Sequence, residues 1–164
     1  MNLASDSPLP QLTLPSPLQG VTDDQWTRFV AIMMTEPTTA VGPSNELGAF
    51  QFKPRRLVDL GILRGHLERT RSEKSNRVIW ATAEQEDRDR AEAFLKSIRA
   101  QERAFTKSCV DYASKIASGE ISKHPSTSLS EALAILHRSG PKGLSSRWVF
   151  PATQALADKA AGIF

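Results

Sequence analysis

Residues 35–54 read TEPTTAVGPSNELGAFQFKP: a glutamate set before a proline, a turn-rich stretch, and a short aromatic run. How a helix gives way to this segment decides the fold. Upstream, VTDDQ (21–25) places Thr22 and Gln25 at capping-box spacing, with Asp23 and Asp24 at the positive end of a helix. Trp26, Phe29, Val30 and Met33 follow at the i, i+3, i+4, i+7 spacing of an amphipathic stripe. Pro37 stops this helix and pushes Glu36 out of helical conformation. Downstream, GAFQF (48–52) reads as a short strand or extended piece. A second helix starts at Pro54, a favoured first-turn residue, and ends at Gly61 with Leu57, Val58 and Leu60 facing inward.

Further along, RGHLERTRSEKSNR and the apolar island VIW fall within residues 62–82, which read as a long loop, a frayed helix or an insertion for docking. Residues 83–118 are strongly helical in pattern, with a break expected near Ser97. Ser128 or Ser130 caps a helix whose stripe is Leu129, Ala132, Leu133 and Leu136, ending before Gly140. PKGLSSRWVF reads as a loop, and ATQALADKAAGIF as a closing helix. The expected fold is mainly α, with five to seven helices around a small β element.

The 164 residues are 40% hydrophobic, enough for one domain with a core of its own. That domain is assigned to residues 21–164. Residues 1–20, with prolines at 8, 10, 15 and 17, form an extended arm. Leu9, Leu12, Leu14 and Leu18 are its anchors, to a partner or to the domain itself.

The net charge of +3 is mild, but residues 53–107 carry 14 of the 21 Lys and Arg. That excess suits an anionic neighbour or a solvated helix surface. It comes with no nucleic-acid recognition motif, which argues against nucleic acid as a partner. A single cysteine, Cys109, excludes a disulfide framework and a thiolate metal cluster, and it reads as a small buried apolar residue. His66, His124 and His137 lack metal-ligand spacing, so no metal or other cofactor is expected. There is no signal-peptide pattern and no apolar run long enough for a membrane span, so the expected product is soluble and made in the cytoplasm.

Extending the stripe of the first helix by three from Met33 lands on Glu36. Burial there, and the negative helix end, would both favour the protonated form of a carboxyl group. A carboxyl kept protonated near neutral pH can protonate a leaving oxygen, as a glycosidase general acid does. The alternative is a glutamate that caps a turn and points to water.

SNELGAFQFKPRRLVDLG (44–61) resembles a signature of lytic transglycosylases. It more closely resembles the Gly-Ala-Tyr-Gln-Phe variant in tail-borne, virion-associated peptidoglycan-degrading proteins of bacteriophages. FLKSIRAQERAFTKSCVDY (94–112) and SLSEALAILHRSGPKG (128–143) resemble two further helices of those proteins, in the same order.

The resemblance implies a lysozyme-like α+β fold and cleavage of peptidoglycan glycan strands, by a lytic transglycosylase or a muramidase. It also implies a virion tail location, with tail proteins contacted through the N-terminal arm. Glu36 takes the place of the family's catalytic glutamate, although Pro37 and Thr38 stand where the family carries Ser-Gly. Thr38, Thr39 or Ser44 can supply the missing hydroxyl. Gln51 matches the family's strand glutamine and could hydrogen-bond a sugar N-acetyl group or the backbone of the cleft.

Glu46, the only acid between Glu36 and Asp59, is the candidate second carboxylate of a hydrolase, or else a surface charge. Trp80 could stack on a sugar face or sit in the core. Tyr112 could reach Glu36 with its hydroxyl. His137 falls on a motif position, as a substrate-binding or a structural histidine. The alternative function is a catalytically inactive tail hub, plug or collar protein on the same fold.

Overall fold

The structure is a computed structural model that describes residues 13–43, 45–64, 85–146 and 149–164. The described residues form six helices: α1 (Asp23–Met33), α2 (Pro54–Asp59), α3 (Gln85–Leu95), α4 (Ile98–Ala117), α5 (Leu129–Ser145) and α6 (Pro151–Ala160). The fold is mainly α. Among the described residues the β content is limited to isolated bridges, Val41 with Leu47 and Leu47 with Phe52.

Local chemistry explains most boundaries. At α1, the Thr22 side chain accepts from Gln25 N and the Gln25 side chain accepts from Thr22 N, a complete capping box. Gln25 has a second task, because its Nε2 donates to Ile163 O at 2.8 Å and ties the chain end to the start of α1. Ser97 caps α4 by accepting from Ala100 N, which puts the break where the sequence predicts it. Ser128 caps α5 in the same way through Glu131 N.

Gly140, at φ 69°, takes a left-handed conformation closed to most side chains and breaks α5. Pro141 then restarts a helical turn to Ser145, so PKGLS is not the loop that its composition suggests.

Phe105 on α4 is the centre of the core. It stacks on Phe50 with centroids 4.5 Å apart and lies beside Trp26, Phe29 and His137. All four striped residues of α1 are buried. Each such side chain contributes about 1.5–3 kcal/mol of burial free energy. The C-terminal end folds back onto α5: Ser130 Oγ donates to Ala160 O at 2.5 Å, and Ser130 N to Phe164 O at 3.1 Å. The Phe164 ring then meets Phe29 edge-on.

The arm is docked along its described part. Leu14 N donates to Thr27 Oγ1 at 2.8 Å, Ser16 N to Asp23 Oδ1 at 2.7 Å, and Leu14 and Leu18 pack against the core. Leu9 and Leu12 lie outside the described residues, as do 65–84 of the expected long loop. Within the described start of that stretch, Leu63 is buried and Arg64 N donates to Asp87 Oδ1 on α3.

Candidate functional site

The short strand or extended piece expected at GAFQF is a tight turn instead. Leu47 and Phe52 exchange both backbone hydrogen bonds at 2.8 and 2.9 Å, and the chain reverses between them. Gly48 and Gln51 both have positive φ, 76° and 53°, which no regular strand allows. The hydrophobic residues are still all inward: Ala49, Phe50 and Phe52 are buried.

A side chain replaces the missing sheet. Gln101 on α4 is fully buried; its Oε1 accepts from Ala49 N at 2.8 Å, while its Nε2 donates to Thr38 O and Phe94 O, each at 2.9 Å. A Cβ at Gly48 would overlap this amide, so glycine is required there for close approach as well as for its φ.

Glu36 sits in a bend and is exposed. This corrects the expectation that it ends the buried stripe. Met34 has already left helical geometry, so an i+3 step from Met33 overshoots α1. The corner is held by its backbone: Thr35 N and Glu36 N both donate to Ala49 O, at 2.9 and 3.2 Å. Gln101 holds the same corner from the other side through Thr38 O. The corner at 35–38 and the turn at 48–52 are thereby joined as two walls.

Between these walls and α6 lies a cavity of about 280 Å³ lined by Thr35, Glu36, Gln51, Arg138 and Thr153, among others. Gln51 is mostly buried, and its Nε2 donates to Gly48 O at 2.9 Å. Its Oε1 and the Glu46 Oε2 converge on the same side of Gly42, where a Cβ would meet both.

Arg138, on α5, donates from Nη2 to Thr35 Oγ1 at 2.6 Å. Burial lowers its pKa from the usual arginine range, and the charges of Glu46 and then Glu36 oppose that shift. Burial also lowers the pKa of Lys53, against Glu46, with Arg138 adding to the lowering. Arg138, which lines the cavity, thus interacts with Glu36 inside it and with Glu46 outside it.

The remaining sequence candidates fall elsewhere. His137 is buried, and its Nε2–H donates to Phe50 O at 2.6 Å while its ring meets Phe52 and Phe105 edge-on. Burial depresses its pKa to about 3, against the opposing Phe50 bond. It is a core histidine that pins the turn. Tyr112 is buried under Arg56, whose guanidinium lies 3.9 Å from the ring centroid, and burial raises its hydroxyl pKa. Its partners are on α2 and α4, and it does not line the Glu36 cavity. Burial raises the Cys109 thiol. Ser44 and Trp80 lie outside the described residues.

Two larger hollows, about 480 and 540 Å³, lie between α1 and α4 on an apolar floor that includes Leu14 and Val30. Glu102 is the acid that lines them, with Arg99 beside it, and neither hollow includes a candidate site residue. Among the described residues no group of three His, Cys, Asp or Glu could hold a metal ion, and no helix is long and apolar enough to cross a membrane.

Arg138 and Gln101 are the site residues that sequence reasoning missed. Both lie inside the segments quoted for the family resemblance, and both act across long chain separations. No family model, curated protein or solved structure matches this chain.

Proposed function

We propose that the chain is a lysozyme-like protein that cleaves peptidoglycan glycan strands, carried in a virion tail, with Glu36 as general acid and base. One observation carries the reading: Glu36 and Gln51, the residues that the resemblance pairs as acid and sugar ligand, line one cavity. They come to it from separate segments.

In this mechanism the Glu36 carboxyl gives its proton to the oxygen between N-acetylmuramic acid and N-acetylglucosamine, and the bond from that oxygen to the muramyl C1 breaks. The muramyl C6 hydroxyl then attacks C1, and the Glu36 carboxylate takes the hydroxyl proton. The product is a 1,6-anhydro end. A glycan lying in the cavity would exclude water from the reacting bond. Gln51 offers an amide to the sugar N-acetyl group. Glu46 does not line the cavity and faces Lys53 and Arg138, which favours chemistry through one glutamate.

The exposure of Glu36 and the nearby Arg138 charge favour a second reading, an inactive tail hub, plug or collar subunit on the same fold. An exposed glutamate beside a guanidinium is also the ordinary arrangement of a surface charge pair.

Digestion of purified peptidoglycan, with released muropeptides analysed by mass spectrometry, separates the two. Anhydro products from the wild type that vanish in Glu36→Gln support the transglycosylase. Reducing ends shift the chemistry to a hydrolase, with Glu46 as second carboxylate. Absence of release by either protein supports the structural role.

A further inference from the structure

The exposed side of the Glu36 corner has a single side-chain tether among the described contacts, the Arg138 Nη2 bond to Thr35 Oγ1 at 2.6 Å. The Nε of the same guanidinium is enclosed by the protein and has no hydrogen-bond partner among the described residues, so the Thr35 bond is the hydrogen bond that orients the group. The preceding residue, His137, holds Phe50 O on the opposite wall at 2.6 Å. Two consecutive residues of α5 therefore fix both walls of one cavity.

The backbone bonds to Ala49 O fix the main chain at Thr35 and Glu36, but they leave the direction of the Glu36 side chain to whatever surrounds the corner. An arginine suits this task because its planar fork holds a fixed angle between the bonded edge and the free edge. Here the bonded edge takes Thr35, and the charge interacts with Glu46 and Glu36.

We infer that Arg138 is a positioning residue for Glu36: acting through the Thr35 hydroxyl, it holds the corner so that the carboxyl is presented to the cavity opposite Gln51. This rests on the reading of Glu36 as the general acid. Arg138 itself does not touch the scissile bond. Misplacement of a reacting group by about 1 Å costs on the order of 10²-fold in rate, so a tether this close to the acid has a measurable kinetic signature.

A double-mutant cycle on labelled peptidoglycan tests it, with kcat and KM measured for Thr35→Val, Arg138→Met, the double variant, Thr35→Ser and Glu36→Gln. Thr35→Val removes the acceptor oxygen alone, whereas Thr35→Ser keeps it. Each of Thr35→Val and Arg138→Met is expected to lower kcat about 10- to 100-fold with KM changed by less than about threefold. The double variant is expected to be no slower than the worse single one, because both remove the same link. Thr35→Ser is expected to keep wild-type turnover.

Full turnover in Thr35→Val, or a double variant slowed by the product of the single effects, overturns the inference while an inactive Glu36→Gln leaves the glycosidase reading standing. Wild-type turnover in Glu36→Gln, or no cleavage by the wild type, overturns both. Should Arg138→Met fail to fold, Thr35→Val decides the matter, since it alters one hydroxyl at an exposed position.

Discussion

The turn at 48–52 and the corner at 35–38 meet at one cavity, yet Phe50 is 0% exposed while Glu36 is open to solvent. The turn is held from three sides: Phe105 stacks on Phe50, Gln101 takes Ala49 N, and His137 takes Phe50 O. The corner hangs from that turn by two backbone bonds to Ala49 O, from Gln101 by Thr38 O, and from α5 by Arg138. One wall is made rigid by burial. The other borrows its position from the first and stays open to solvent.

If that division is right, damage to the buried wall costs stability, and damage to the exposed wall costs little. The largest loss is expected for Gln101→Ala, which strands Ala49 N–H and Thr38 C=O in or near the core, while Phe94 C=O keeps its bond from Ser97 N. About 3–5 kcal/mol should disappear from the unfolding free energy in urea titrations.

Acid should act on the same wall through His137. Its pKa is 6.5 when unperturbed and about 3 in the fold, so the unfolded chain binds a proton that the folded chain refuses. Stability from this group is intact above about pH 6.5 and falls as pH drops towards 3, by up to ~1.4 kcal/mol per unit. Urea titrations of wild type and His137→Gln from about pH 7 to about pH 4 should show a steeper decline in the wild type.

A smaller loss, about 2–3 kcal/mol, is expected for Gly48→Ala, where a positive φ and overlap with the Gln101 amide act together. Thermal melts would reveal it. Thr35→Val should cost the least, about 0.5–1 kcal/mol, because Thr35 is exposed and solvent reaches the lost bond. A Thr35→Val melting curve as damaged as that of Gly48→Ala would break the comparison between the walls.

Helix ends were legible from residues three or four apart. Thr22 with Gln25, Ser97, Ser128, Pro54 and Gly140 each act on their own neighbourhood, so spacing alone locates them. GAFQF misled because its residues all turn inward whether they lie in a strand or in a turn, and the choice fell to Gln101, far along the chain. Glu36 misled because periodicity extends a helix on paper past the point where Met34 ends it. Tyr112 gave no local sign that Arg56 would cover it.

By itself, then, the sequence determined that this is a mainly α chain, where most of its helices begin and end, and which hydrophobic stripes enter the core. Those properties arise from backbone capping and side-chain periodicity within a few residues. Only the tertiary structure decided that Glu36 and Gln51 share a cavity, that Gln101 stands in for a sheet, and that Arg138 reaches Thr35. Those contacts join residues 15 to 103 positions apart. They exist because a common core of aromatic side chains draws their segments together, a property of the packed whole.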